Sequence, residues 1–271
     1  SNKYNGKIKD KIKEQEKIIK DEKSTDSQKD DAAVEIDLLK KKMFKPIFGM
    51  EAYCAPVSID KRDGRADRGY HLIILAKNKQ GDKSLCKLSS IAYVDGYYYN
   101  PRIDHSLLEQ YHEGLIVTSA CLGGELPQKI MNGDIEGAEK SLHWFKNLFG
   151  DDFYIELQRH KTDKPNADKT TFDRQQEVNR VLIELARKTN TKIIATNDVH
   201  FVEEEHSEAH DRLICMSTGR DFDDPDRMHY TKQEWLKSPQ EMGEAFADLP
   251  EALENTKEIV DKVEAYSIDS D

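Results

Sequence analysis

Cysteine is scarce in this sequence of 271 residues: Cys54, Cys86, Cys121 and Cys215 stand far apart, with no CxxC spacing. That excludes a disulfide framework or a Cys-only zinc knuckle and predicts reduced thiols in a cytoplasmic protein. Long apolar runs are missing as well. The best of them, such as 72–76, are far too short to cross a bilayer, so no membrane partner is expected. No charged-then-apolar leader opens the chain, so a secretory signal is not expected. An excess of positive charge is also absent: 41 Lys and Arg against 52 Asp and Glu leave a net charge of −11. Bulk charge therefore does not recruit nucleic acid, which needs clustered Lys and Arg. The chain opens Ser1-Asn2 rather than Met, which predicts a piece of a longer protein.

Residues 1–45 lack histidine and proline and hold a single glycine, but carry 13 Lys and 10 acidic residues. Ile8, Ile12 and Ile19 share one helical face, and Ala32, Ile36, Leu39 and Met43 share another. Between them, Ser24-Thr25-Asp26-Ser27 offers turn and N-cap chemistry. The spacing predicts a hairpin of charged helices at about 7–22 and 28–43, with a seam too thin to stand well alone.

From Pro46 the pattern changes to short β-branched runs alternating with helical stretches. Strands are expected at 46–53, 71–76, 115–119, 153–157 and 192–196, and helices at 79–93, 124–131, 135–148 and 171–189. This alternation predicts an α/β body with a parallel sheet or barrel over 46–220. Residues 221–271 hold 15 acidic and 5 basic residues and form an acidic segment. After Thr196 the pattern is mainly helical, at 204–217, 231–235, 238–246 and 250–265.

Functional groups of α/β barrels collect at the C-terminal ends of strands, and here those ends are rich in ligand-type residues. Glu51 lies on the first strand, His71 at the start of the second, Cys121 just past the third, and Asp198-x-His200 after the fifth. Extended backbone would point Asp198 and His200 to one side. Glu156 and His160 can face the same rim. Mixed N, O and S ligands suit zinc, manganese or iron better than magnesium. Elsewhere the bland reading prevails. His206 and His210 read as a helix-surface pair. Gly123-Gly124-Glu125 is a poor phosphate loop because Glu125 repels phosphate. Tyr97-Tyr98-Tyr99 with Arg102 reads as an aromatic core cluster before it reads as a base-stacking surface.

The strings PIFGMEAY, YHLIILAKN, YYYNPRID, GLIVTSACLGGELP, LFGDDFYIELQRH, ATNDVHF, EAHDRLICMSTG and ADLPEALENT resemble, in order and spacing, the PHP (polymerase and histidinol phosphatase) domain of bacterial replicative DNA polymerases. The resemblance implies a seven-stranded variant of the TIM barrel whose first two strands, with a His-x-His motif, an Asp and a further His, are not in this sequence. It makes 1–45 an insertion, 46–220 the PHP barrel, and 221–271 a segment leading to a polymerase core. It implies Glu51, His71, Cys121, Asp198 and His200 as ligands of a divalent metal, zinc or manganese, with Asp198 and His200 catalytic in a 3′–5′ exonuclease. DNA and dNTPs would be handled by a palm domain holding Mg²⁺ beyond residue 271. Other partners implied are the sliding clamp and a proofreading subunit. The alternative is a non-catalytic module that braces the polymerase and binds that proofreading subunit. A free-standing phosphatase is disfavoured by YYYNPRID and by the helical region after Thr196.

Overall fold

The computed structural model describes residues 2–268; Ser1 and residues 269–271 of the acidic segment lie outside the described residues. The chain divides into two compact units, Ser1–Ile47 and Phe48–Asp271.

The first unit is a helical hairpin of α1 (Asn2–Lys20) and α2 (Asp26–Lys41). Thr25 caps α2: its hydroxyl accepts from the Gln28 N–H, and the Gln28 side chain accepts from the Thr25 N–H in return. That satisfies two backbone donors that a helix start leaves open. The seam buries Ile8, Ile12 and Leu39, with Ile36 and Met43 packed against them, whereas Ile19, expected on the same face, is exposed.

The second unit is built on one six-stranded sheet in the order β3-β1-β2-β4-β5-β6. The strands are β1 (Gly49–Cys54), β2 (Tyr70–Ala76), β3 (Arg102–Ile103), β4 (Leu115–Thr118), β5 (Phe153–Leu157) and β6 (Lys192–Ala195). Five were expected; β3, two residues long, was not. The sheet is mixed rather than parallel. β2 runs antiparallel to both β1 and β4, whereas β1–β3, β4–β5 and β5–β6 are parallel. The link from Cys54 to Tyr70 carries only a short 3₁₀ turn, Arg65–Arg68, and not the helix that usually carries a parallel return. β4 and β5 are buried on both faces, as strands covered by helices should be.

Helices α3 (Lys79–Val94), α4 (His105–Gln110), α5 (Glu125–Met131), α6 (Ile135–Phe149) and α7 (Thr170–Thr189) fill the connections. α8 (Ser207–Thr218), α9 (Pro239–Ala245) and α10 (Pro250–Lys262) follow. The helix expected at 231–235 does not form: Lys232 has φ +61°, and Trp235 instead bridges to Phe201 as a short parallel pair. The acidic segment is not separate from the body. Phe246, Leu249 and Ala252 belong to the same core as Leu72, Ile74, Leu142, Phe145 and Phe153. Among the described residues no helix is long and apolar enough to cross a membrane.

Candidate metal centre

The reversal of β2 builds the site. Because β2 is antiparallel to β1 and β4, its first residues lie at the rim where those strands end. Side chains alternate across a strand, and Ala52, Cys54, Leu72 and Ile74 point into the core. Glu51, Tyr53, His71 and Ile73 therefore share the other, half-exposed face. In the register Tyr53 lies opposite His71 and Glu51 opposite Ile73. Glu51 is thus the diagonal neighbour of His71, within reach of a long side chain.

Cys121 arrives from the turn after β4. Ala120 takes φ +60°, which turns the chain sharply, and the Gly124 N–H closes the turn onto the Cys121 carbonyl at 2.9 Å. The His71 N–H donates to the Gly123 carbonyl, also at 2.9 Å, pinning the start of β2 to this turn. Glycine is required at Gly124, and at Gly123 it leaves the His71 ring its room. A Cβ on Gly124 would lie 2.0 Å from the Ser119 carbonyl oxygen, and one on Gly123 would lie 3.0 Å from the His71 ring.

The outcome is a convergence at one ring nitrogen. His71 Nδ1 is 2.7 Å from Glu51 Oε1 and 3.4 Å from Cys121 Sγ. One oxygen, one nitrogen and one sulfur ligand atom lie within 4.8 Å of one another. Hydrogen bonds to Cys121 and Glu51 hold the His71 imidazolium together up to about 10. The Glu51 carboxyl is lowered by the hydrogen bond from His71, with the charge of His200 adding to it. A thiol and a carboxylate competing for a single ring nitrogen is the arrangement that a divalent cation relieves by accepting all three lone pairs. Three protein ligands with a fourth position left open is the pattern of catalytic zinc.

Asp198 and His200 do not complete that cluster as the alternation predicts. β6 ends at Ala195, and Asp198 has φ +45°, so residues 196–200 are not an extended segment. His200 turns its Nδ1 onto the Asp198 backbone carbonyl at 2.6 Å. Its ring stacks edge-on against Tyr230 and His210, with centroids 4.8 and 5.4 Å away. Both residues nonetheless act on the same region. The Asp198 carboxyl is pushed up to about 6 by burial, by the charges of Glu51, Glu156 and Glu234, against the pull of His200. This anion-rich rim favours a cation.

Glu156 and His160 stand behind the rim as supports. Glu156 accepts from Thr118 Oγ1 at 2.5 Å, from Gln158 Nε2 at 3.0 Å and from the Thr196 hydroxyl, which ties the ends of β4, β5 and β6 together. His160 is buried: Nε2 donates to the Asn197 carbonyl at 3.2 Å, and Nδ1 accepts from Gln175 Nε2 at 3.1 Å. Both ring nitrogens are used, and burial lowers its basicity. Beside Cys121 and Asp198 opens a cleft of about 320 Å³, walled by Gln158, Arg174, His229, Tyr230 and Glu234 among others. The Tyr230 phenol is pushed up by burial, then by the charge of Asp198, so it stays a hydrogen-bond donor. Sequence reasoning missed Tyr230 and Glu234, which come back to the site by the pairing of 234–236 with 200–202; no local pattern announces it.

The remaining sequence candidates have structural roles. His206 is held by the Glu203 N–H, while His210 packs on Phe201 and Tyr230, so they are not a metal pair. Glu125 is buried among His105, Lys129 and Ser141 and leaves no room for a phosphate.

Residues 25–160 match the PHP domain family model, a stretch that takes in α2 as well as the sheet through β5. The chain is 44% identical over 232 residues to a DNA polymerase III subunit alpha of Borreliella burgdorferi, covering 84% of this chain and 19% of that protein. The corresponding subunit of Campylobacter jejuni is 41% identical over 236 residues, 83% of this chain and 19% of the relative. That of Thermus aquaticus is 40% identical over 225 residues, 79% and 17%. The chain therefore spans about a fifth of the length of the relatives it matches. With a metal-type O, N, S cluster at the strand rim and these matches across four-fifths of its length, the chain belongs to the PHP domain family, in the form found in DNA polymerase III alpha subunits.

Proposed function

We propose that this chain is the PHP portion of a replicative polymerase alpha subunit and hydrolyses phosphodiesters with a divalent metal, trimming DNA from its 3′ end. The observation that carries the reading is the convergence of Glu51, His71 and Cys121 on one point. The donor set fits zinc or manganese. Glu51, His71 and Cys121 would hold the ion, and Asp198 and His200, on the anionic rim beside them, would complete the site. Such an ion would supply Lewis acidity toward a phosphoester and lower the pKa of water. The chain's own residues do the rest. Glu156 and His160 fix the backbone at the ends of β4, β5 and β6. Tyr230 offers a phenol proton to the cleft, and Arg174 stands in the cleft wall for a phosphate. The rest of a seven-stranded barrel, the polymerase palm with its Mg²⁺, the sliding clamp and a proofreading subunit belong to the same proposal, on the strength of the relatives.

The test is shortening of a 5′-labelled single-stranded oligonucleotide by the full-length protein with Mn²⁺ or Zn²⁺. Loss of shortening in His71→Ala, in Asp198→Asn and with chelator, while nucleotide incorporation persists, supports the reading. Normal metal content with no shortening in the unmodified protein contradicts hydrolysis and leaves the module as a brace for a proofreading subunit.

A further inference from the structure

Arg102 is fully buried, yet among the described residues its guanidinium bonds to backbone carbonyls and to no carboxylate. Its Nε donates to the Gly96 carbonyl at 3.0 Å, one terminal nitrogen donates to Lys61 and Asp67 carbonyls at 3.0 and 2.7 Å, and the other to the Ile59 carbonyl at 2.6 Å. Its guanidinium also lies 5.1 Å over the Tyr98 ring. The Tyr98 hydroxyl accepts from the Gly64 N–H at 3.1 Å, and Arg62 donates to the Asp95 carbonyl at 2.9 Å. One buried cation thus ties the loop 59–69 to the turn 96–100. The loop carries four cations in eight residues, Lys61, Arg62, Arg65 and Arg68, all exposed. Of the acids there, Asp67 is buried and lies 3.8 Å from Lys61, and Asp60, Asp63 and Asp95 are exposed. The turn presents Tyr97 and Tyr99, each 53% exposed. Tyr99 has φ +61°, a backbone state that a bulky residue takes only when its surroundings impose it. Arg68 lies 4.6 Å over the Tyr99 ring.

From this juxtaposition we propose that the loop 59–69 and the turn 96–100 form a binding surface for single-stranded nucleic acid. Aromatic faces on a rigid base, interleaved with cations, are how proteins hold single strands without reading sequence. A duplex hides its base faces and gains only the cations. Tyr97 and Tyr99 stack on bases, and the four cations meet the phosphates. The loop runs straight into β2, with Arg68 three residues before His71, so a strand held here lies next to the rim. The surface stands on different residues from the metal centre and does not rest on its chemistry.

Fluorescence anisotropy of a labelled oligothymidylate of about 15 nucleotides, with the whole chain in low salt and chelator, tests it. Binding should weaken with added salt. Tyr97→Ala with Tyr99→Ala should weaken it about tenfold or more, Tyr99→Phe should retain it, and Arg65→Glu with Arg68→Glu should weaken it and flatten the salt dependence. Absence of binding at low salt overturns the proposal. So does equal binding of duplex and single strand unaffected by the tyrosine changes, which is charge alone. A loss in Tyr99→Phe equal to that in the double alanine variant, with a lowered melting temperature, also overturns it, because the rings would then be structural.

Discussion

At the residue scale two side chains show how burial decides role. Arg102 reads in the sequence as part of a core cluster before a contact for bases, and with four backbone carbonyls around its guanidinium it is a buried staple. Arg102→Met strands those acceptors, each worth about 1–3 kcal/mol when left unpaired. Destabilisation of at least about 3 kcal/mol is expected in urea unfolding; a loss under about 1 kcal/mol would contradict the staple. The cysteines differ in the same way. Cys54 and Cys215 are buried, Cys86 is exposed and Cys121 is half-buried, and burial pushes the Cys54 thiol well up. Alkylation followed by mass spectrometry should label Cys86 first and Cys121 next, leaving Cys54 and Cys215 intact. Added Zn²⁺ should slow Cys121 alone. Equal slowing of Cys86 would point to nonspecific metal binding.

At the element scale, β2 was legible as a strand from its apolar run, and Glu51, His71 and Cys121 were legible as rim residues. The direction of β2 was not, because side-chain alternation is the same in both senses and the fifteen-residue link after Cys54 is long enough for either. Asp198 and His200 were placed by assuming extended backbone past β6, and the left-handed turn at Asp198 has no residue signature comparable to glycine. The Glu125 cluster is the clearest electrostatic link between elements, joining α4, α5 and α6 through His105, Lys129 and Ser141. Burial alone would raise the Glu125 carboxyl, but the bonds from His105, Lys129 and Ser141 hold it at about 2. A carboxyl whose pKa falls on folding stabilises the fold above the unfolded value near 4.5 and loses that contribution as pH drops toward 2. The difference corresponds to roughly 3 kcal/mol. Glu125→Gln should therefore flatten the loss of stability between about pH 4.5 and 2, measured as the urea midpoint at each pH. An unchanged slope would remove Glu125 from the acid response.

At the scale of the whole molecule, the two units differ in what holds them. The hairpin seam buries Ile8, Ile12 and Leu39, whereas the second unit has a continuous core of sheet and helix residues. Amide exchange follows local stability, so residues 8–43 should exchange faster than β6, read by mass spectrometry on the intact chain. Equal protection would make the hairpin as stable as the sheet. The boundary between these units was legible in composition, since charge and helical periodicity give way at Pro46 to β-branched runs. The junction of the acidic segment with the body was not, because Phe246, Leu249 and Ala252 are too few to signal a core. The central claim is that one divalent ion sits on Glu51, His71 and Cys121, and cobalt titration of the whole chain tests it most directly. A near-ultraviolet thiolate-to-cobalt absorption that saturates at one ion per chain, disappears in Cys121→Ser, and weakens at least tenfold in His71→Ala and Glu51→Gln is the predicted result. Cobalt binding without a thiolate band, or with equal affinity in all three variants, would contradict it.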